Sequence, residues 1–433
     1  MAHRPPPPPR PDAPASLRGN RPFRLLWCSN LLFFGGIWTQ TLVLGWLVFD
    51  TTGSELLVAI FTAARLAPLL LGPLAGALAD HHDRVRLLVV ACGWALAATV
   101  ALALLVSLDA APYGALLVGG LAIGMAHSPS QPARSALVLD LVGRERLSTA
   151  NAWNSIALSA TQVAGPAIGG VLIGAVGAAT ALWISGAWYA VSLLLLLPLR
   201  DRGGAAAAAG PRAAESLLAM VGGGLRAISR NRIAVAVLLI TVAANIFLWS
   251  VSQAFMPVFA ARSLDLDAAG LGWLLTCAGV GGLIGSVVVA GLGDFRFKGG
   301  LFVFGTVAWG LLWALFALSH DVAVAFALMV GIGATGASFG VLQTTLLLTA
   351  TEPAVHGRAL GLQELAIGMI PLSSLVLGVL ADRHGVGPTT FVSALLFVAV
   401  LLALSAWAPQ LIRYRGTAPP LAQLANERQA TSG

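Results

Sequence analysis

From about residue 25 onward the chain alternates between long apolar runs and short polar connections. The runs fall at roughly 25–48, 56–79, 87–108, 114–138, 149–175 and 180–199. After a polar gap they resume at roughly 233–259, 269–292, 300–319, 322–350, 359–381 and 389–409. Each is near the roughly 20 apolar residues that a helix needs to cross hydrocarbon. They are apolar on all sides, where barrel strands would be short and alternating. The pattern predicts an all-α membrane protein with twelve transmembrane helices. It predicts a tail at 1–20, a six-helix bundle at 21–199, a cytoplasmic linker at 200–232, a second six-helix bundle at 233–410 and a tail at 411–433.

Composition and charge agree with that pattern. Hydrophobic residues are 58% of the chain and charged residues 10%, against about 25% charged in soluble domains. A water-soluble enzyme is excluded, because too little polar surface exists to cover the body. All but three of the 25 basic residues fall on the tails and on the loops of one face. Arg262 and Arg383 fall on the other face, and Arg65 lies inside a run. The positive-inside rule therefore places both termini in the cytoplasm. It also explains the net charge of +7 without a nucleic-acid partner.

The first 20 residues, rich in proline and arginine, read as a disordered tail and lack the apolar core of a signal peptide. The stretch GGAAAAAGPRAA at 203–214 reads as a flexible linker. Residues 215–232 read either as an interfacial helix or as a solvated linker. Cys28, Cys92 and Cys277 lie far apart in apolar runs, as buried small hydrophobes. The single lysine, Lys298, precedes Gly299 and Gly300, so no phosphate-cradling loop is formed. No metal and no cofactor is expected, and the chain is expected to be a monomer. Any work it does must draw on an ion gradient or on the substrate's own gradient.

The loop after the second run carries the strongest motif, GALADHHDRVR at 76–86. Gly76 lets two helices approach closely. Asp80 ends a helix where it can face the positive N-terminus of a neighbour. Arg84 and Arg86 can pair with acids at other inner helix ends, such as Asp140 or Glu145. Such a cluster, with Arg358 before the eleventh run, would latch the inner side shut. The halves echo each other here: Asp294, with Lys298 four residues on, repeats the spacing of Asp80 and Arg84. Gly378 to Gly385 repeats the signature on the outer face, where it reads as a helix end and tight turn.

This loop resembles the loop-2–3 signature of the major facilitator superfamily, Gly-x-Leu-x-Asp-Arg-x-Gly-Arg-Lys. His81 stands in a basic place, Asp83 in a glycine place, and Val85 intervenes before Arg86. Phe23-Arg24-Leu25-Leu26-Trp27, Ala64-Arg65-Leu66-Ala67-Pro68 and Gly357-Arg358-Ala359 are similar to the branch of bacterial siderophore and macrolide or multidrug exporters. The resemblance spans about residues 18 to 410. It implies two pseudo-symmetric six-helix bundles, secondary transport, and export across the bacterial inner membrane.

Gly165-Pro166-Ala167-Ile168-Gly169-Gly170 is similar to the antiporter motif of superfamily exporters. Its proline bends the helix, and Gly165, Gly169 and Gly170 allow tight packing. The expectation is a seal at the inner end in one state; the alternative is a kink without directional meaning. Arg65, inside a run, is expected either to meet an anionic substrate group or to form a structural ion pair. Glu364 is the one acid well inside a run, and it and His127 are the candidates for proton coupling. Asn30, Gln40, Asn154, Gln162, Asn245, Gln253 and Gln343 recur at inward depth. Some of them are expected to line a cavity and others to tie helices together. Trp38, Trp249 and Phe339 could form an aromatic wall. These residues predict a transporter that exports a small amphiphilic molecule (a drug, siderophore or secondary metabolite) against proton entry. An importer or lipid flippase of the same fold is the alternative, or a membrane receptor or scaffold without turnover.

Overall fold

A computed structural model describes residues 19–71, 82–202, 217–229, 231–292, 295, 297–352 and 355–414. Among them there are helices and no strands. The first half holds α1 (Arg21–Thr52), α2 (Glu55–Leu66), α3 (Arg84–Ser107) and α4 (Tyr113–Leu196). α2 continues into a 3-10 turn, Ala67–Leu71. α4 is not one rod. Gly143 at φ 72° and Gly177 at φ 82° break it into segments 113–142, 144–176 and 178–196, in a backbone region that side chains with a Cβ rarely enter. α5 (Leu217–Ile228) precedes the second half and packs on α10. Then follow α6 (Arg232–Ala244), α7 (Ala268–Gly291), α8 (Lys298–Leu318), α9 (Val322–Thr349), α10 (His356–Ile367), α11 (Met369–His384), α12 (Val386–Trp407) and the short α13 (Gln410–Arg413).

Side-chain caps at several of these starts match the residue types there. Asn20, Ser54, Asp83, Asp267 and Asp321 each accept a hydrogen bond from a first-turn N–H, satisfying donors that the helix leaves free. α11 ends at Gly385 with φ 84°, the helix end expected on that face. Beyond Ala244, π turns at Asn245–Trp249 and Phe259–Ser263 loosen the continuation of α6.

Among the described residues, nine helical stretches are long and apolar enough to cross a membrane. Large apolar side chains also face outward: Val90 is 67% and Val287 70% exposed. In water that surface would be costly. In hydrocarbon it is the ordinary exterior.

In the first half α1 and α3 pack along α4, closing a core around Phe33, Leu88, Leu137 and Tyr189. In the second half α7 and α8 pack on α9, and α8 on α12. The halves meet where α7 lies on α4 and α11 on α2.

Two sequence expectations lie outside the described residues: Gly76 and Asp80 of the loop motif, and Asp294 of its echo. The tails beyond 19 and 414 and the linker 203–216 lie outside as well. Arg134, counted from sequence among loop cations, is instead 2% exposed inside the first-half core. Its guanidinium stacks 4.3 Å from the Phe33 ring centre and donates to Asn30 and to Ser29. Arg134 falls within the apolar run at 114–138 itself, and the helix turns it toward α1, where Phe33, Asn30 and Ser29 receive it.

Candidate transport cavity

A cavity of about 440 Å³ lies between the halves, within the roughly 300–1,000 Å³ typical of ligand sites. α1 contributes Trp38 and Thr41, α2 contributes Phe61, Thr62 and Arg65, and the 144–176 segment contributes Ser159, Gln162 and Pro166. The second half answers with Trp249, Ser252, Gln253, Met256, Trp309 and Trp313. The lining is thus aromatic and hydroxylated. Arg65 is its one charged residue among those described. Arg65 is 8% exposed and donates to Thr41 Oγ1 at 2.7 Å. No carboxylate pairs with it among the described residues. On the facing half, the Trp313 Nε1–H is buried without a hydrogen-bond partner.

One end of this cavity is shut by contacts between the halves. Arg262, within the second π turn, donates to Glu55 Oε1 at 2.7 Å and to the Gly53 carbonyl. Beside it, Gly170 meets the first turn of α7. A Cβ on Gly170 would stand 2.6 Å from the Ala268 carbonyl oxygen and 2.7 Å from Gly272 Cα. Gly279 lies equally close to Val163. Two helices approach here at backbone distance.

The glycine–proline motif makes its close contacts toward the Gly53 end. Gly165 and Gly169 face α1, where Thr39 donates to the Gly165 carbonyl, and Gly170 faces α7. Along the helix the motif follows Gln162, with Pro166 still on the cavity wall and Gly170 at the first turn of α7.

Arg84 and Asp140 are paired, as the loop motif suggested. Both belong to the first half, so this pair ties α3 to α4 and does not itself bridge the halves. Arg86 and Arg358 are exposed. Asp83, in the family's glycine place, caps α3 by accepting from Arg86 N at 2.9 Å.

The amides divide sharply. Gln162 and Gln253 line the cavity. Asn30 pairs with Asn154 at 3.1 Å; Gln40 bonds Thr99 at 2.8 Å and Tyr189 at 3.0 Å. Asn245 donates to the Thr241 carbonyl and Gln343 accepts from Thr241 Oγ1. Asn30, Asn154, Gln40 and Gln343 thus tie neighbouring helices together, whereas Asn245 bonds back to its own helix. Trp38 and Trp249 line the cavity, whereas Phe339 stacks behind Trp309 at 5.3 Å. His127 sits edge-on to Phe34 in a separate small pocket that also touches Gln40 and Arg65. Glu364 is exposed on α10 and does not line the cavity. Sequence reasoning missed Glu55, Arg262 and Arg134. Ser54-Glu55 reads as an ordinary helix start, and nothing local signals a partner 207 positions away.

Membrane-crossing helices around an amphiphilic cavity are what a membrane carrier requires. The sequence matches the family described as transmembrane secretion effector over residues 13–416. The chain belongs to that family, a branch of the major facilitator superfamily. It is 26% identical over 377 residues to the multidrug efflux pump Tap of Mycolicibacterium fortuitum, covering 84% of this chain and 90% of that protein. It is 23% identical over 368 residues to the staphyloferrin A transporter of Staphylococcus aureus, with the same coverages of 84% and 90%. Among solved structures, a POT family transporter in complex with a thioalcohol-conjugated peptide superposes with a TM-score of 0.75 at 12% identity, covering 90% of this chain and 96% of its own. A bacterial homologue of the lysosomal transporter Spinster, in an inward-facing, unoccupied conformation, superposes at 0.71 with 14% identity, covering 93% and 99%. The chain is a non-enzymatic, multi-pass membrane transporter of this superfamily.

Proposed function

We propose that this chain exports a small amphiphilic molecule by alternating access, in exchange for protons. The observation that carries the reading is the cavity between the halves, shut at the Gly53 end by Glu55–Arg262 and by the Gly170–Gly272 approach. Breaks at Gly143 and Gly177, and the α2 segment, bring the crossings to twelve in two bundles of six divided at 200–232. Both termini then lie in the cytoplasm of a bacterial cell and the Gly53 end faces outward, so the conformation described has its outer side closed. The name of the Tap relative, a multidrug efflux pump, supports export.

In this reading the loop after α2, with Gly76, Asp80, Arg84 and Arg86, forms the inner gate with Arg358, and Asp140 holds Arg84 in place for it. Glu364 remains the proposed proton carrier, acting away from the cavity wall. Reconstitution into proteoliposomes tests the function directly. Efflux of a labelled amphiphile should speed up when a pH gradient drives protons the opposite way. Transport indifferent to the gradient would remove proton exchange, and uptake alone would reverse the direction in favour of an importer.

A further inference from the structure

The cavity has a polarity that amphiphile export alone does not require. Its one charged lining residue among those described is a cation, and that cation has no acid to neutralise it. An arginine held 8% exposed in a membrane-embedded chamber is costly unless an anion meets it. Its one hydrogen-bond partner among the described residues is a neutral hydroxyl, Thr41 Oγ1. The facing wall is aromatic, with Trp313 among its lining residues. The same lining holds Trp38, Trp249 and Trp309, suited to a flat apolar body.

We infer that the cargo is an anionic amphiphile, whose carboxylate or comparable oxyanion pairs with Arg65 and Thr41 while its apolar body lies among the tryptophans. The oxyanion of such a ligand meets the guanidinium on the cavity wall, and its rings meet tryptophans of both halves. A cationic amphiphile would instead place its charge beside an unneutralised guanidinium. This inference rests on the reading of the cavity as the transport site and adds the charge class of what enters it.

The test is equilibrium binding to the full chain in nanodiscs, read by tryptophan fluorescence and calorimetry, so that it does not depend on turnover. Three probes share one ring system: 2-naphthoate, its neutral amide and 2-naphthylmethylammonium. Wild-type protein should bind the naphthoate at least about tenfold more tightly than the amide, since a hydrogen bond to a charged group contributes roughly 1.5–3 kcal/mol. The ammonium should bind most weakly. Arg65→Gln should erase the gap between naphthoate and amide while leaving amide binding within about threefold. Thr41→Val, which keeps the volume, provides a milder second variant and should narrow the gap. Equal or tighter binding of the amide or the ammonium to wild-type protein overturns the anion assignment while leaving the cavity as a site. A gap that survives Arg65→Gln overturns it too. If none of the three binds, the cavity itself fails as the site, and the transport reading falls with it.

Discussion

Arg134 shows how a single buried charge can be kept without a salt bridge. Its guanidinium lies over Phe33, with Asn30 and Ser29 as acceptors, and its Nε and Nη2 atoms have no partner. Buried ionic groups of this kind are often no more stabilising than an apolar residue of similar size. Arg134→Met should therefore leave the melting temperature in detergent unchanged or raise it. Arg134→Lys should lower it, because an ammonium loses both the planar stacking and the fork that reaches two acceptors. A Met variant that melts well below the Lys variant would show that the charge itself stabilises the core. Glu364 makes the opposite case, an acid that the fold leaves exposed and apart from the cavity. If it carries the proton, Glu364→Gln should abolish pH-driven exchange and leave counterflow intact. Loss of both, or of neither, would assign the proton elsewhere.

Between elements, the closure at the Gly53 end has two components of unequal strength. The Glu55–Arg262 pair is held by an arginine side chain that is 51% exposed, and exposed pairs contribute about 0–1 kcal/mol. The backbone approach of the 144–176 segment to α7 is a packing contact, and forcing side-chain atoms into such a contact costs roughly 1–3 kcal/mol. Gly170→Val should therefore shift the population toward an open outer end by about fivefold or more, and Glu55→Gln by less. Nitroxides at Asp50 and His384, both exposed and on opposite halves, would report the change as a longer distance in double electron–electron resonance. A distance unchanged by Gly170→Val would mean that the glycine motif is a packing kink without a gating role. Sequence marked this motif as a close-packing site, because Gly-rich runs around a proline have few other uses in a span. It did not reveal which neighbour fills the gap. Thr39, Ala268 and Gly272 are brought there by the arrangement of α1 and α7.

At the scale of the whole molecule, the charge of the cargo sets the energetics of transport. Export of a monoanion moves negative charge out of a cell that is negative inside, and proton entry moves charge in the same electrical sense. A potential of 100 mV is worth about 2.3 kcal/mol per charge, roughly fiftyfold in the gradient that can be sustained. A valinomycin-imposed potential, positive on the receiving side, should therefore drive efflux of the anion from proteoliposomes without any pH difference. Insensitivity to potential would point to electroneutral exchange. The helical, membrane-embedded character of the chain was legible from sequence, because hydrocarbon forces each crossing to be long, apolar and self-satisfied in its backbone bonds. So was the family, through Gly76 to Arg86 and the motif around Pro166, since local spacing carries those signatures. Which polar side chain faces the cavity was not legible. Asn30 and Gln162 are both amides at inward depth, yet one is satisfied by its neighbour Asn154 and the other lines the chamber. The closure at the Gly53 end was equally hidden, because Glu55 and Arg262 meet only when two halves of the chain come together. Sequence alone determined the solvent, the secondary structure and the lineage, all set by local composition and periodicity. Only the tertiary structure decided that Arg65 stands in a chamber with no acid beside it among the described residues, because the surroundings of a charge depend on helices distant in sequence.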